Sequence, residues 1–300
     1  MDERRLSRRG FLAAGTALAA ARGRGTGRLH LSTNSYSWHV FYQREKKNFG
    51  ADLDAGLADV ARSGLDGYEP AIGSPAEIDR LVPLLKKHGL EMRSIYCGSA
   101  LHDPAQAEKS LERILGVAER AKAAGTRIVV TNPSPIGKPK TDEQLKIQAE
   151  ALQRLGERLG GLGLVLAYHN HDVEMRQEGR EFHAMMQGTD PKALALCLDA
   201  HWVWRGSGNS AKVLADVVKR YGARVRELHL RQSSGGVWSE TLGEGDIDYP
   251  AVVAGLAEAG AKPHLVLEIA VEKGTPHTMD PVEAHRRSAE YARKVFAILG

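Results

Sequence analysis

Short apolar runs alternate with amphipathic stretches along this chain at a spacing that predicts repeated strand-then-helix units. Runs at 29–33, 65–70, 90–97, 126–132, 164–169, 194–199, 225–230 and 263–269 predict eight strands. Helical patterns lie between them at 51–63, 75–88, 105–124, 141–160, 181–188, 210–222, 248–260 and 281–299. Gly64, Gly89, Gly125, Gly222 and Gly260 close five of these helices just before the next strand begins. Eight such units in about 270 residues predict an α/β fold, a (β/α)8 TIM barrel of eight parallel strands with outer helices. A doubly wound open sheet would carry a Gly-x-Gly-x-x-Gly turn after the first strand, and none is present.

Four of the predicted strands end in a residue able to bind a metal. LVLAYH ends at His169, LALCLD at Asp199, ELHL contains His229, and LVLE ends at Glu268. Their intervals are 30, 30 and 39 residues, each the length of one strand-helix unit. Parallel barrel strands deliver their C-terminal ends to one mouth, so the four predict a single divalent metal site. A carboxylate after a run as apolar as that before Asp199 is costly without a partner. His229 alone would read as a satisfied core residue, and its register with the other three strand ends makes it a ligand instead. Glu174 is a rival for the ligand position of His169.

Polar groups at other strand ends extend the site. His169 and His171 alternate onto one face of their strand, which leaves His171 free as an acid or base near neutral pH. His201 follows Asp199 by two residues, and Glu69 closes the second strand. The stretch Asn34 to His39 brings hydroxyl and aromatic groups behind the first strand. Trp38, Trp202 and Trp204 could supply the aromatic face on which sugars pack. The glycine-rich stretch 243–249 lacks the Lys of a phosphate loop, and its Asp248 reads as a helix N-cap.

Composition narrows the classes. Apolar residues make up 42% and charged residues 26%, enough for a large core. The formal charge of +4 is small for 300 residues, and its Lys and Arg are spread out, which argues against nucleic acid as partner. Cys97 and Cys197 fall in separate strands and read as packing residues. Residues 1–27 are expected to stand apart from the barrel of 28–300, as a signal peptide and short linker. Arg4, Arg5, Arg8 and Arg9 precede an Ala-rich apolar run, Phe11 to Ala21, with small residues suited to cleavage near 20–22. The stretch Ser7-Arg8-Arg9-Gly10-Phe11-Leu12 resembles a twin-arginine export signal, so a periplasmic or extracellular location is expected. The run is too short to span a bilayer, which takes about 20 residues, so no membrane contact is expected after its removal.

The segments AYHNHDVE (167–174), LDAHW (198–202), ELHLRQ (227–232), LGEGDIDYPAVV (242–253) and LEI (267–269) together resemble the sugar phosphate isomerase/epimerase superfamily, the xylose isomerase-like TIM barrels. The similarity spans residues 29–299. It implies one divalent metal, Mn²⁺ foremost with Zn²⁺, Co²⁺ or Mg²⁺ as alternatives, held by Glu, Asp, His and Glu at the ends of strands five to eight. Asp199, His229 and Glu268 carry over directly. At strand five the chain departs from the pattern, with His169 where many members have Glu. One carboxylate of the usual proton-trading pair is thereby lost. Glu268 remains as base, with His171, Glu69 or Glu174 as its partner. The implied activity is a metal-dependent isomerase or epimerase acting on a sugar or keto-sugar through an enediolate. A lyase acting on an oxidised glycoside and a barrel that binds sugar without catalysis are the alternatives. Expected substrate contacts are His171, His201, Trp202, Arg231, Trp38 and Glu174. The expected partner is a small carbohydrate, and the oligomeric state stays open.

Overall fold

The structure, a computed structural model, describes residues 28–300. The expected export signal and its cleavage site lie outside the described residues. Ten strands occur among those described: β1 Leu31–Asn34, β2 Gly67–Glu69, β3 Ser94–Tyr96, β4 Ile128–Thr131, β5 Val165–His169, β6 Leu194–Asp199, β7 Val225–Leu230, β8 Ser233–Ser234, β9 Val237–Trp238 and β10 His264–Leu267. The helices are α1 Ser35–Arg44, α2 Leu53–Arg62, α3 Pro75–His88, α4 Pro104–Ala123, α5 Asp142–Gly161, α6 Arg176–Gln187, α7 Ala200–Gly206, α8 Ala211–Tyr221, α9 Tyr249–Glu258 and α10 Pro281–Val295. None of the described helices is long and apolar enough to cross a membrane.

Eight of the strands form one parallel sheet in the order β2-β1-β10-β7-β6-β5-β4-β3. The two ends of that order meet. Isolated parallel bridges join Gly67 to Glu91 and Ala71 to Tyr96. Four backbone bonds seal the seam, including Tyr68 N to Glu91 O and Ile72 N to Tyr96 O, both 2.9 Å. The result is the closed (β/α)8 barrel that the alternation of runs predicts.

Period-two alternation sorts the strand residues between two cores. Leu166, Tyr168, Leu194, Leu196, Leu198, Leu228, Leu230, Leu265 and Leu267 join the large cluster shared with the helices. Ile128, Val130, Ala167, Ala195 and Cys197 form a second, small cluster, with Tyr96 packed against it. Above it the same inward alternation turns polar, and that change of chemistry positions the site.

Strand-end side chains also begin helices. Asn34 accepts a hydrogen bond from Ser37 N (3.2 Å) and starts α1, and Asp199 accepts one from Trp202 N (2.9 Å) and starts α7. Asp248 caps α9 through Ala251 N, as its sequence context predicts. Neither α1 nor α7 stands out from periodicity. Each starts without a loop directly on its strand, and α7 is only seven residues long. A further unexpected element is the β8–β9 hairpin, whose two turn residues Gly235 and Gly236 have φ of 59° and 82°. Two consecutive left-handed residues are the requirement of a tight hairpin turn, and glycine meets it without strain.

Candidate active site at the barrel mouth

The ladders place Asp199 opposite His229, His169 opposite Cys197, and Cys197 opposite Glu227. The inward side chains of β5, β6, β7 and the residue following β10 therefore point into one buried volume. His169, Asp199 and Glu268 each bring a ligand atom within 4.8 Å of the others. His229 reaches them through Nδ1, which lies 3.3 Å from Glu268 Oε2. His169 is close to it as well, with ring centroids 4.6 Å apart.

Among the buried atoms here that lack a hydrogen bond are His169 Nε2, Asp199 Oδ2, His229 Nδ1 and Glu268 Oε2, the last of them ion-paired with Arg231 Nη2 at 2.9 Å. Each belongs to one of the four residues expected as ligands. Buried polar atoms normally find hydrogen-bond partners, and four without one in one place fit the donor set of a divalent cation. Two carboxylate oxygens and two imidazole nitrogens suit Mn²⁺, Zn²⁺ or Co²⁺ better than an all-oxygen cage would.

The surroundings hold these side chains in place. His229 Nε2 faces Glu69 Oε1 at 3.1 Å and Glu227 Oε1 at 3.2 Å. A carboxylate on one ring nitrogen fixes the proton there and leaves the lone pair on Nδ1. Burial, reinforced by the charge of Glu69, pushes Glu227 well above the carboxylate range, so it holds a proton between the two acids. Burial works against a charged His229. Cys197 and the carboxylates Glu69 and Glu268 nevertheless hold its pKa well above the usual value. The Cys197 thiol is itself pushed far up by burial, so near neutral pH the carboxylates account for that effect. Asn170 stitches β5 to β6. Its amide donates to Asp199 O and its carbonyl accepts from Asp199 N, both at 3.1 Å. Asn34 Nδ2 donates to Glu268 Oε1 at 2.7 Å.

Burial shifts the remaining groups. It raises Asp199 to about 7, against the opposing pull of Arg231. It lowers His169 far below the usual imidazole range, helped by His229 and His171, and lowers His171 in the same direction. Burial would raise Glu268 too, but Arg231 and His229 outweigh it and hold that carboxylate well below its ordinary value.

Above this floor opens a cavity of about 320 Å³, lined by Asn34, Ser35, Tyr36, Ala71, Tyr96, His171, Trp202, Arg231 and Glu268. Larger cavities, about 560 Å³ at the opposite end of the barrel and about 620 Å³ between α8 and α9, contain none of these groups. The mouth cavity holds the chemistry.

Not every expected contact lies there. His171, Trp202, Arg231 and Glu268 do. Trp38 does not: it is fully buried and stacks on His285 with ring centroids 4.1 Å apart. Helix α1 turns it into the core, where its large apolar ring belongs. His201 is buried as well, with Nε2 against Ser233 Oγ at 3.1 Å, because α7 carries it away from the mouth. Glu174 accepts from His171 N (2.7 Å) and Asn132 Nδ2 (3.2 Å), so its carboxylate braces the loop after β5 and stays off the ligand set. Glu69 lies behind His229 and accepts from Ser94 Oγ at 2.6 Å, out of the cavity's reach. Sequence reading passed over Tyr96 and Glu227 and took in Tyr36 only as part of the stretch 34–39. Only the period-two spacing from His229 marked Glu227 as inward-facing.

A closed parallel barrel with a candidate metal-ligand set at the C-terminal ends of its strands has the architecture of a TIM-barrel enzyme. Residues 57–295 match the Xylose isomerase-like TIM barrel family, and the chain belongs to it. The inosose dehydratase of Clostridium botulinum is 21% identical over 278 residues, which is 82% of this chain and 90% of that one. Among solved structures, a sugar phosphate isomerase/epimerase from Parabacteroides distasonis superposes with a TM-score of 0.72 at 18% identity, covering 94% of this chain and 99% of that one. The D-allulose 3-epimerase of Methylomonas sp., solved with D-allulose, gives a TM-score of 0.69 at 18% identity over 90% of this chain and 98% of that one.

Proposed function

We propose that this barrel is a metal-dependent enzyme that removes a proton from the carbon beside a carbonyl in a keto sugar or keto polyol, through an enediolate. The observation that supports it is the convergence of four donor atoms that lack a hydrogen bond at the floor of a cavity lined by an imidazole, a guanidinium and aromatic rings. His169, Asp199, His229 and Glu268 would hold the cation, Mn²⁺ foremost, and it would supply Lewis acidity toward the substrate oxygens.

His171 takes the proton. It lines the cavity, and its lowered pKa keeps the imidazole neutral and able to accept near pH 7. Glu268 is the other basic group on the cavity wall, but Asn34 and Arg231 engage both of its oxygens, which weakens it as a base. The C–H electron pair then has two exits. Reprotonation elsewhere gives an isomerase or epimerase. Expulsion of a hydroxyl from the next carbon gives a C=C bond and, with a proton, water. Elimination is the exit the cavity favours, because His169 removes one carboxylate of a two-base pair. The similarity to inosose dehydratase supports the same choice.

The test is NMR in D₂O with the metal-loaded protein and a set of keto sugars and keto polyols. Deuterium is expected at the carbon beside the carbonyl, together with loss of a neighbouring hydroxyl in the productive substrate. Absence of exchange and of elimination across the whole set would overturn the proposal. We also propose export by the twin-arginine route, which would make free rather than phosphorylated sugars the substrates. Replacing Arg8 and Arg9 together by Lys should then trap the precursor in the cytoplasm, and normal processing of that variant would sink the idea.

A further inference from the structure

We infer that the substrate carries a carboxylate, and that Arg231 is the residue that reads it. The inference rests on the function proposed above and names its substrate class.

Arg231 is a guanidinium held rigidly for recognition. Its side chain is 1% exposed. Its backbone is clamped by Tyr249, whose hydroxyl accepts from Arg231 N at 3.1 Å and donates to Arg231 O at 2.5 Å. Nε donates to Glu268 O at 3.1 Å. The guanidinium carbon lies 4.5 Å from the Trp238 ring centroid, 4.9 Å from Trp202 and 5.8 Å from Tyr36. Nη2 is 2.9 Å from Glu268 Oε2 and 3.9 Å from Asp199 Oδ2. Nη1 alone has no partner, although it is buried and belongs to a residue lining the cavity. A buried donor left unsatisfied is costly, more so when it is charged, and an acceptor on the ligand recovers that cost.

Charge decides what kind of acceptor. Asp199 and Glu268 together balance a divalent cation, so the guanidinium charge is left over once the metal is bound. Glu272, the next carboxylate toward the solvent, is taken by Arg205 Nη2 at 2.7 Å and Trp238 N at 2.9 Å. Glu69 and Glu227 face His229 on the far side. The charge of Glu69 stays on that far side, so a neutral sugar would leave the guanidinium without an anion on its cavity side, whereas a carboxylate supplies one. A phosphate fits less well. Arg231 is the only Lys or Arg lining the cavity, one positive charge against a near-dianion.

The experiment is titration calorimetry of the metal-loaded full chain with D-glucuronate and D-galacturonate, with the matching neutral hexoses, and with D-glucose 6-phosphate. At least one uronate is expected to bind about tenfold or more tighter than its hexose, the worth of one charge-assisted bond. Arg231→Gln should erase that preference. Arg231→Lys should retain part of it, since charge remains but the fork is lost. Metal content by elemental analysis and far-UV circular dichroism show whether each variant keeps site and fold. Equal affinity for uronate and hexose, no binding of any sugar, a preference for the phosphate, or a uronate preference that survives Arg231→Gln would each overturn the inference. Binding is measured without turnover, so a failed exchange experiment and a failed uronate preference stay distinguishable.

Discussion

Asp199→Ala and His229→Ala are each expected to abolish stoichiometric metal binding while leaving a folded barrel. Each removes one of four converging donors, and neither has a neighbour free to replace it. Glu174, the nearest rival in sequence, is engaged by His171 N and Asn132. Glu174→Ala should therefore keep the metal, and His169→Ala should lose it. The opposite pair of results would transfer the strand-five ligand to Glu174. Asp199→Ala also deletes the cap on Trp202 N, a loss of about 1 kcal/mol that a barrel of this size tolerates. The pH dependence has a definite sign. Burial raises Asp199 to about 7, so acidification below that value places a proton on the ligand and the proton competes with the metal. His229, whose pKa is also raised, must give up a proton to the cation as well, so affinity measured by calorimetry should fall as pH drops from 8 to 6.

His171→Asn is expected to lower turnover by about 10²-fold or more, with metal content unchanged. The imidazole lines the cavity, and its backbone N–H is fixed by Glu174, so the ring is held where an incoming C–H can meet it. Burial lowers its pKa, and the neutral form is the active one. The acid limb of kcat/KM should then lie below the usual imidazole value of about 6.5, with activity rising as pH increases through it. The limb should vanish in His171→Asn. Glu268→Gln should also lose activity, but through weakened metal binding and a displaced Arg231. Elemental analysis beside the pH profile separates the two effects. If His171→Asn exchanges solvent deuterium into substrate like the wild type, the base is Glu268.

The barrel, and the convergence of the four expected ligands at its mouth, were legible because both follow from short-range pattern. Alternation along one strand says which side chains point inward, and the end of an apolar run says where the mouth is. His169, Asp199, His229 and Glu268 needed nothing more. Trp38 misled, since an aromatic beside polar residues suggests a sugar platform until α1 turns the ring onto His285. That Glu69, expected as a proton carrier, joins Glu227 behind His229 escaped for a different reason. Glu69 on β2 and Glu227 on β7 come from strands separated in the sheet by β1 and β10, and they meet only across the barrel's interior. Contacts across the interior leave no periodicity in the chain. Arg231 showed its residue type, but its aromatic cage of Trp202, Trp238 and Tyr36 comes from three separate segments.

The seam between β2 and β3 sets how this barrel breathes. Isolated bridges hold it, where ladders of three or more residue pairs hold the other strand pairs of the barrel, so thermal opening is expected to start there. The four candidate metal donors lie on or just after β5, β6, β7 and β10, the middle four strands of the order. A fluctuation that parts the seam shifts Glu69 and Tyr96 and leaves the donors in register. The barrel is thus expected to loosen its cavity wall at Tyr96 while the four candidate donors keep their places relative to one another.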